Sequence, residues 1–160
     1  MSTKTSTLLA VLTNPPTTPG ERTLARVQLA CDLLGYDDFA VANLFPLPSR
    51  STRDINELGQ VRGPWLAARP VLQEQLGAAA GVLLAYGLER PRGQAGQWHR
   101  EQVTWLDAAI TGRGLPRFWV GEAPRHPSRW QRCTSRRQPA VPFRDAVALE
   151  LRPAPGGGRD

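Results

Sequence analysis

The chain reads as an α/β protein built around a mostly parallel sheet of four strands, and three observations carry that reading. Short apolar runs alternate with stretches whose apolar residues recur at helical spacing. The runs are apolar at nearly every position, as in strands covered on both faces, where half-solvated strands would alternate with polar residues. They also end in loops containing Asn, Pro, Gly and His, beyond the carboxyl ends of the strands, where open parallel sheets collect their ligands.

Taken in order, Thr7–Leu12 (TLLAVL) is the first predicted strand, closed by Thr13-Asn14-Pro15-Pro16. Leu24, Val27, Cys31 and Leu34 recur at helical spacing over 21–34, and Gly35 is a good terminator. Phe39–Leu44 (FAVANL) is a second buried strand, broken by Pro46 and Pro48. Residues 54–58 predict a short helical turn. Pro64 can open a helix at Trp65, Pro70 should interrupt it near Arg69, and 73–80 should continue it. Val82–Tyr86 (VLLAY) is a third strand, ended by Gly87. Residues 97–111 predict a strong helix with Trp98, Trp105, Leu106 and Ala109 near one face and His99 on a polar, solvent-facing side. Arg117–Val120 (RFWV) is the fourth strand, and Val147–Leu151 adds an edge strand. The expected architecture is a three-layer sandwich: one domain over 7–151, a loose polar leader over 1–6, and a disordered tail over 152–160 that contains Gly156-Gly157-Gly158.

Charge is not spread evenly over this frame. The formal net charge is +6, from 20 basic and 14 acidic residues. The stretch 123–144 holds Arg125, Arg129, Arg132, Arg136, Arg137 and Arg144 and no acid, so the other 14 basic and 14 acidic residues cancel (20 − 6 = 14). One of only 2 histidines, His126, lies in that stretch within His126-Pro127-Ser128-Arg129. A hydrogen-bond donor inside a field of guanidinium forks points to chemistry on a polyanion. Lys4 is the only lysine and sits in the polar leader, which argues against a Schiff-base mechanism. Cys31 and Cys133 lack the spacing of a metal site, so neither metal nor cofactor is expected, and free thiols in a reducing cytoplasm are the simpler reading. No secretion signal is evident, and no apolar run approaches the ~20 residues of a membrane span. A cytoplasmic monomer without a membrane partner is expected.

Asn14-Pro15 after the first strand, Asn43 closing the second, Gly87 ending the third and His126-Pro127-Ser128 after the fourth stand in a telling order. In that order they resemble the motifs of the uracil-DNA glycosylase superfamily. The chain is also similar to an uncharacterised bacterial family with NP-T, NLF and RHP elements, a branch of that superfamily. The resemblance spans 8–130. It implies a uracil-DNA-glycosylase-like fold and a monofunctional DNA glycosylase that hydrolyses the N-glycosidic bond of a flipped, modified pyrimidine without lyase activity. Defence against modified phage DNA or base-excision repair would follow. By position, Asn14 would hold the hydrolytic water, Asn43 would read the base edge, and His126 would donate to the base carbonyl. Ser128 and Arg129 would press on the backbone, and Arg129 or Trp130 would enter the duplex where the base left. Phe45 is the expected stacking face. Arg125, Arg132, Arg136 and Arg137 are expected on DNA phosphates.

The chain departs from the superfamily in three ways. Asn14 stands where the best-known members have an acid, although some branches use Asn there. Pro16 offers no aromatic wall against the 5-position of the base, which would admit 5-substituted pyrimidines. Two cysteines cannot hold the four-cysteine iron–sulfur cluster of some branches. Two other readings stay open at this point: a non-catalytic nucleic-acid-binding module, and a hydrolase of free nucleotides or nucleosides.

Overall fold

The computed structural model describes residues 5–15, 20–48 and 52–156. Five strands form one sheet: β1 (Thr7–Leu12), β2 (Asp38–Asn43), β3 (Gly81–Leu84), β4 (Arg117–Val120) and β5 (Leu151–Pro153). Their order is β2-β1-β3-β4-β5. The first four run parallel, and β5 closes the edge antiparallel to β4, with Trp119 opposite Arg152. The sheet therefore has one more strand than the four expected.

Helices cover both faces because the central strand is apolar in both directions. Leu9 and Val11 of β1 point into one core with Val82, Leu84, Trp65, Leu72, Leu106 and Ile110. Leu8, Ala10 and Leu12 point into the other with Val27, Cys31, Leu83, Val120, Trp130 and Val147. The first core is roofed by α2 (Thr52–Leu58), α3 (Gly63–Ala67), α4 (Arg69–Ala78) and α5 (Gly93–Gly112). The second is roofed by α1 (Glu21–Leu34), α6 (Trp130–Arg137) and α7 (Phe143–Glu150). Full burial of side chains such as Leu8 and Leu9 contributes about 1.5–3 kcal/mol each.

Local chemistry accounts for the boundaries. Gly35 ends α1 in the left-handed conformation (φ 80°), and its N–H with that of Tyr36 satisfies the last-turn carbonyls of Asp32 and Cys31. Pro64 and Pro70 each occupy the first turn of a helix, so the expected interruption falls at Ala68, between α3 and α4. Gln102, fully buried in α5, donates to the carbonyls of Leu44 and Trp65 and accepts from Arg69 Nε at 2.9 Å. It locks the end of β2 to α3 and α4.

Three expectations need correction. Residues 147–150 finish α7; they do not form a strand, because Ala146, Val147 and Glu150 share one buried helical face. The edge strand starts at Leu151 and runs into the stretch expected to be tail, with the Ala154 N–H on Arg117 O at 2.9 Å. Ser6, expected in a loose leader, binds the Asp37 carboxylate through both its backbone N–H and its hydroxyl. Pro16 and the last residues of the expected tail, 157–160, lie outside the described residues. Among the described residues, no helix is long and apolar enough to cross a membrane.

Candidate functional site

The carboxyl ends of β1, β2 and β3 are stitched together by backbone and side-chain hydrogen bonds. Leu44 N–H donates to Leu12 O and Phe45 N–H to Thr13 O, while Ala85 N–H donates to Val11 O. The Thr13 hydroxyl donates to Tyr86 O, and the Gly87 N–H reaches Pro124 O at 2.7 Å. Gly87 adopts φ +86°, a backbone conformation that a side chain would strain. The turn brings it against the loop after β4, where an added Cβ would lie 3.7 Å from the His126 Cβ.

A cavity of about 730 Å³ opens over these tips. One wall comes from Thr13 and Asn14 after β1, from Tyr86, Gly87, Leu88, Glu89 and Pro91 after β3, and from Ile55 of α2. The other wall comes from the loop and helix after β4: Arg125, His126, Ser128, Arg129, Arg132, Cys133, Arg136 and Arg137. The volume suits a ligand larger than a single base, since small-molecule pockets span roughly 300–1,000 Å³.

His126 is held in one defined state. Its Nδ1 accepts the Ser128 backbone N–H at 3.1 Å and sits 2.8 Å from the Ser128 hydroxyl. A backbone N–H can only donate, so Nδ1 carries no proton and the neutral ring is protonated at Nε2. Burial, and then the Arg129 and Arg26 guanidiniums, push the His126 pKa below 6.5, which keeps the ring neutral at pH 7. Arg26 of α1 steadies the same turn: it donates to Pro127 O at 2.6 Å and to Gln131 Oε1 at 3.3 Å, and it lies over the Phe143 ring. Chain order hides this brace, because Arg26 lies 100 residues upstream of His126 and outside the basic stretch.

Other expected site residues are distributed less evenly. Asn14 and Ser128 line the cavity, and so do all five expected arginines, Arg125, Arg129, Arg132, Arg136 and Arg137. Arg129, Arg132 and Arg136 form no ion pair among the described residues. Arg137 differs: it bridges Glu122 at 2.9 Å and the buried Glu150 at 3.5 Å, so it ties α6 to the sheet edge and is committed to protein partners. Asn43 stands opposite Leu12 in the sheet register and does not line the cavity, and its Oδ1 is buried with no hydrogen-bond partner, so it is not placed to read a base edge there.

Two expected contacts are overturned by burial. Phe45 is fully buried against Trp65, ring centroids 4.8 Å apart, so it offers no stacking face. Trp130 is also fully buried; its indole N–H donates to Arg125 O at 3.0 Å, which holds the ring in the core and away from any duplex. The aromatic surface of the cavity is Tyr86 instead. Its phenol pKa is pushed up by burial and by Asp107, so it stays neutral.

His99 is likewise corrected. It is 3% exposed on the inner face of α5, edge-on to Trp65 at 6.0 Å and to Tyr86 at 6.2 Å, and neither ring nitrogen has a partner. Burial, then the Arg90 and Arg100 charges, push its pKa down to about 4.

Both cysteines are free; Cys31 is buried in the core and Cys133 lines the cavity. Among the described residues, no group of three or more His, Cys, Asp or Glu could hold a metal ion. The family model of DUF1643, described as a protein of unknown function, matches residues 1–128, so the chain belongs to that family. No curated protein and no solved structure matches the chain.

Proposed function

Within a family whose description leaves its activity open, we propose that this chain hydrolyses the N-glycosidic bond of a pyrimidine-type nucleotide in DNA. The observation that carries the reading is the Ser128 N–H on His126 Nδ1. It makes Nε2–H the donor of a neutral imidazole that lines the same cavity as Asn14 and the arginine wall.

In this reading the bond from the sugar C1′ to the base nitrogen breaks with its electron pair leaving on the base. The Nε2–H stabilises the negative charge that grows on the base oxygen, an interaction stronger in the transition state than in the ground state. Asn14 orients a water that adds its oxygen to C1′. Asn14 cannot take a proton, so the proton of that water ends on the departing base; the products are the free base and a sugar hydroxyl. Tyr86 provides the apolar ring face for the base. The roomy cavity suits a 5-substituted base, and with it a role in excising modified phage bases or in repair.

The test is mass spectrometry of bases released from uracil-containing, methylated, hydroxymethylated and glucosylated DNA. Wild-type protein should release at least one of them. His126→Ala should abolish release while leaving DNA binding largely intact. Release from none of the panel, or an unimpaired His126→Ala, would overturn the reading.

A further inference from the structure

The arginines do more than surround the cavity; they form one of its walls. Arg129, Arg132 and Arg136 lie at successive turns of the Pro127–Arg129 turn and α6, on the side opposite the buried Trp130 and Thr134. Arg132 and Arg136 are one turn apart, about 5–6 Å between Cβ atoms. Arg125 adds a buried Nε with no hydrogen-bond partner. Together these guanidinium forks suit the oxygens of a phosphate. A phosphate that meets these groups must therefore enter the same cavity as the base.

That placement constrains the substrate. A duplex keeps its phosphates on the outside of a rod far wider than a cavity of about 730 Å³. Of the two residues expected to enter a duplex, Trp130 is locked in the core, and Arg129 stands on the wall of the cavity. The exposed apolar residue on the opposite lip, Leu88 (48% exposed), gives a neighbouring base a surface to lie on.

We infer that the cavity takes a whole phosphorylated nucleotide of an unpaired strand, with the base at His126 and Asn14 and its phosphates on Arg125, Arg132 and Arg136. The inference rests on the proposed reading for the placement of the base, but binding alone can test it.

Fluorescence anisotropy with a labelled oligothymidylate of about twelve nucleotides, free or annealed to its complement, reads the preference directly. The single strand should bind about tenfold or more tighter at equal salt. Arg132→Gln with Arg136→Gln should erase that preference and lower the single-strand salt slope by about 1.4. Arg144→Gln, which changes an exposed arginine outside the cavity, should leave both unchanged. Equal or tighter duplex binding would overturn the inference, as would a preference that survives in the double variant. Displacement of the oligomer by thymidine monophosphate at equal nucleotide concentration would also overturn it, since the source would then be free nucleotide. Absence of base release would sink the glycosidic reading while the binding preference stood.

Discussion

The chain's two histidines sit in environments that share one consequence and differ in everything else. Burial and nearby arginines lower the pKa of both, so both are neutral at pH 7. His99 lies among Trp65 and Tyr86 with both nitrogens unpartnered; His126 is gripped by the Ser128 N–H and faces a cavity. A depressed pKa therefore does not by itself single out a candidate for chemistry. The distinguishing feature is a fixed tautomer with a protonated nitrogen left over for something else, which His126 has and His99 lacks.

Substitution should separate the two. The largest effect belongs to His126→Gln, where the loss of one well-placed donor should cut base release by about 10²–10³ with an unchanged melting temperature. A comparable loss in His99→Leu would break the comparison.

The second effect is on stability and belongs to His99. Its folded pKa of about 4 lies below the unfolded value of 6.5. The unfolded state thus binds a proton first as pH falls, and stability drains away between pH 6.5 and 4. The full loss is roughly 3 kcal/mol. His99→Leu should remove this acid-labile component, flattening urea-derived stability over that window, and it also deletes two unpaired polar atoms. An unchanged pH profile would mean that His99 is already solvated.

Smaller effects sharpen the picture of His126. Arg129→Gln should raise the His126 pKa, because removing a nearby cation eases protonation; NMR titration of the ring would show it. A fall or no change would place Arg129 away from the imidazole. Ser128→Ala should cost least, a few-fold in base release, because the backbone N–H that fixes the tautomer remains. A Ser128→Ala loss as deep as that of His126→Gln would make the hydroxyl, and not the peptide, the controlling contact.

Much of the frame was legible in the chain because periodicity and punctuation agreed. TLLAVL and RFWV became β1 and β4 with the expected bounds, and Gly35 ended α1 where expected. The errors arose where one residue type masked a period. In 130–137 six positions of Arg, Gln, Thr and Ser hid a helix, yet Trp130 and Thr134 are spaced by one turn and share its buried face. In α5 the polar His99 and Gln102 interrupt a buried stripe that also includes Ala95, Leu106 and Ile110. The two tryptophans of that helix, Trp98 and Trp105, drew attention to the half-buried side instead. Phe45 failed for a different reason: a strand buried on both faces has no polar alternation to show which way its last residues turn. That Asn14, Tyr86 and His126 could line one cavity was foreseeable from strand ends alone, whereas Arg26 braces the site only through tertiary packing.

The tie from the Thr13 hydroxyl to Tyr86 O, together with that from the Gly87 N–H to Pro124 O, joins three separate connections into one frame. Ligand entry cannot then be controlled by one of these loops swinging aside, since each is moored to its neighbour. Selectivity must then come from the shape of a standing mould, and a ligand must enter and leave through its open mouth.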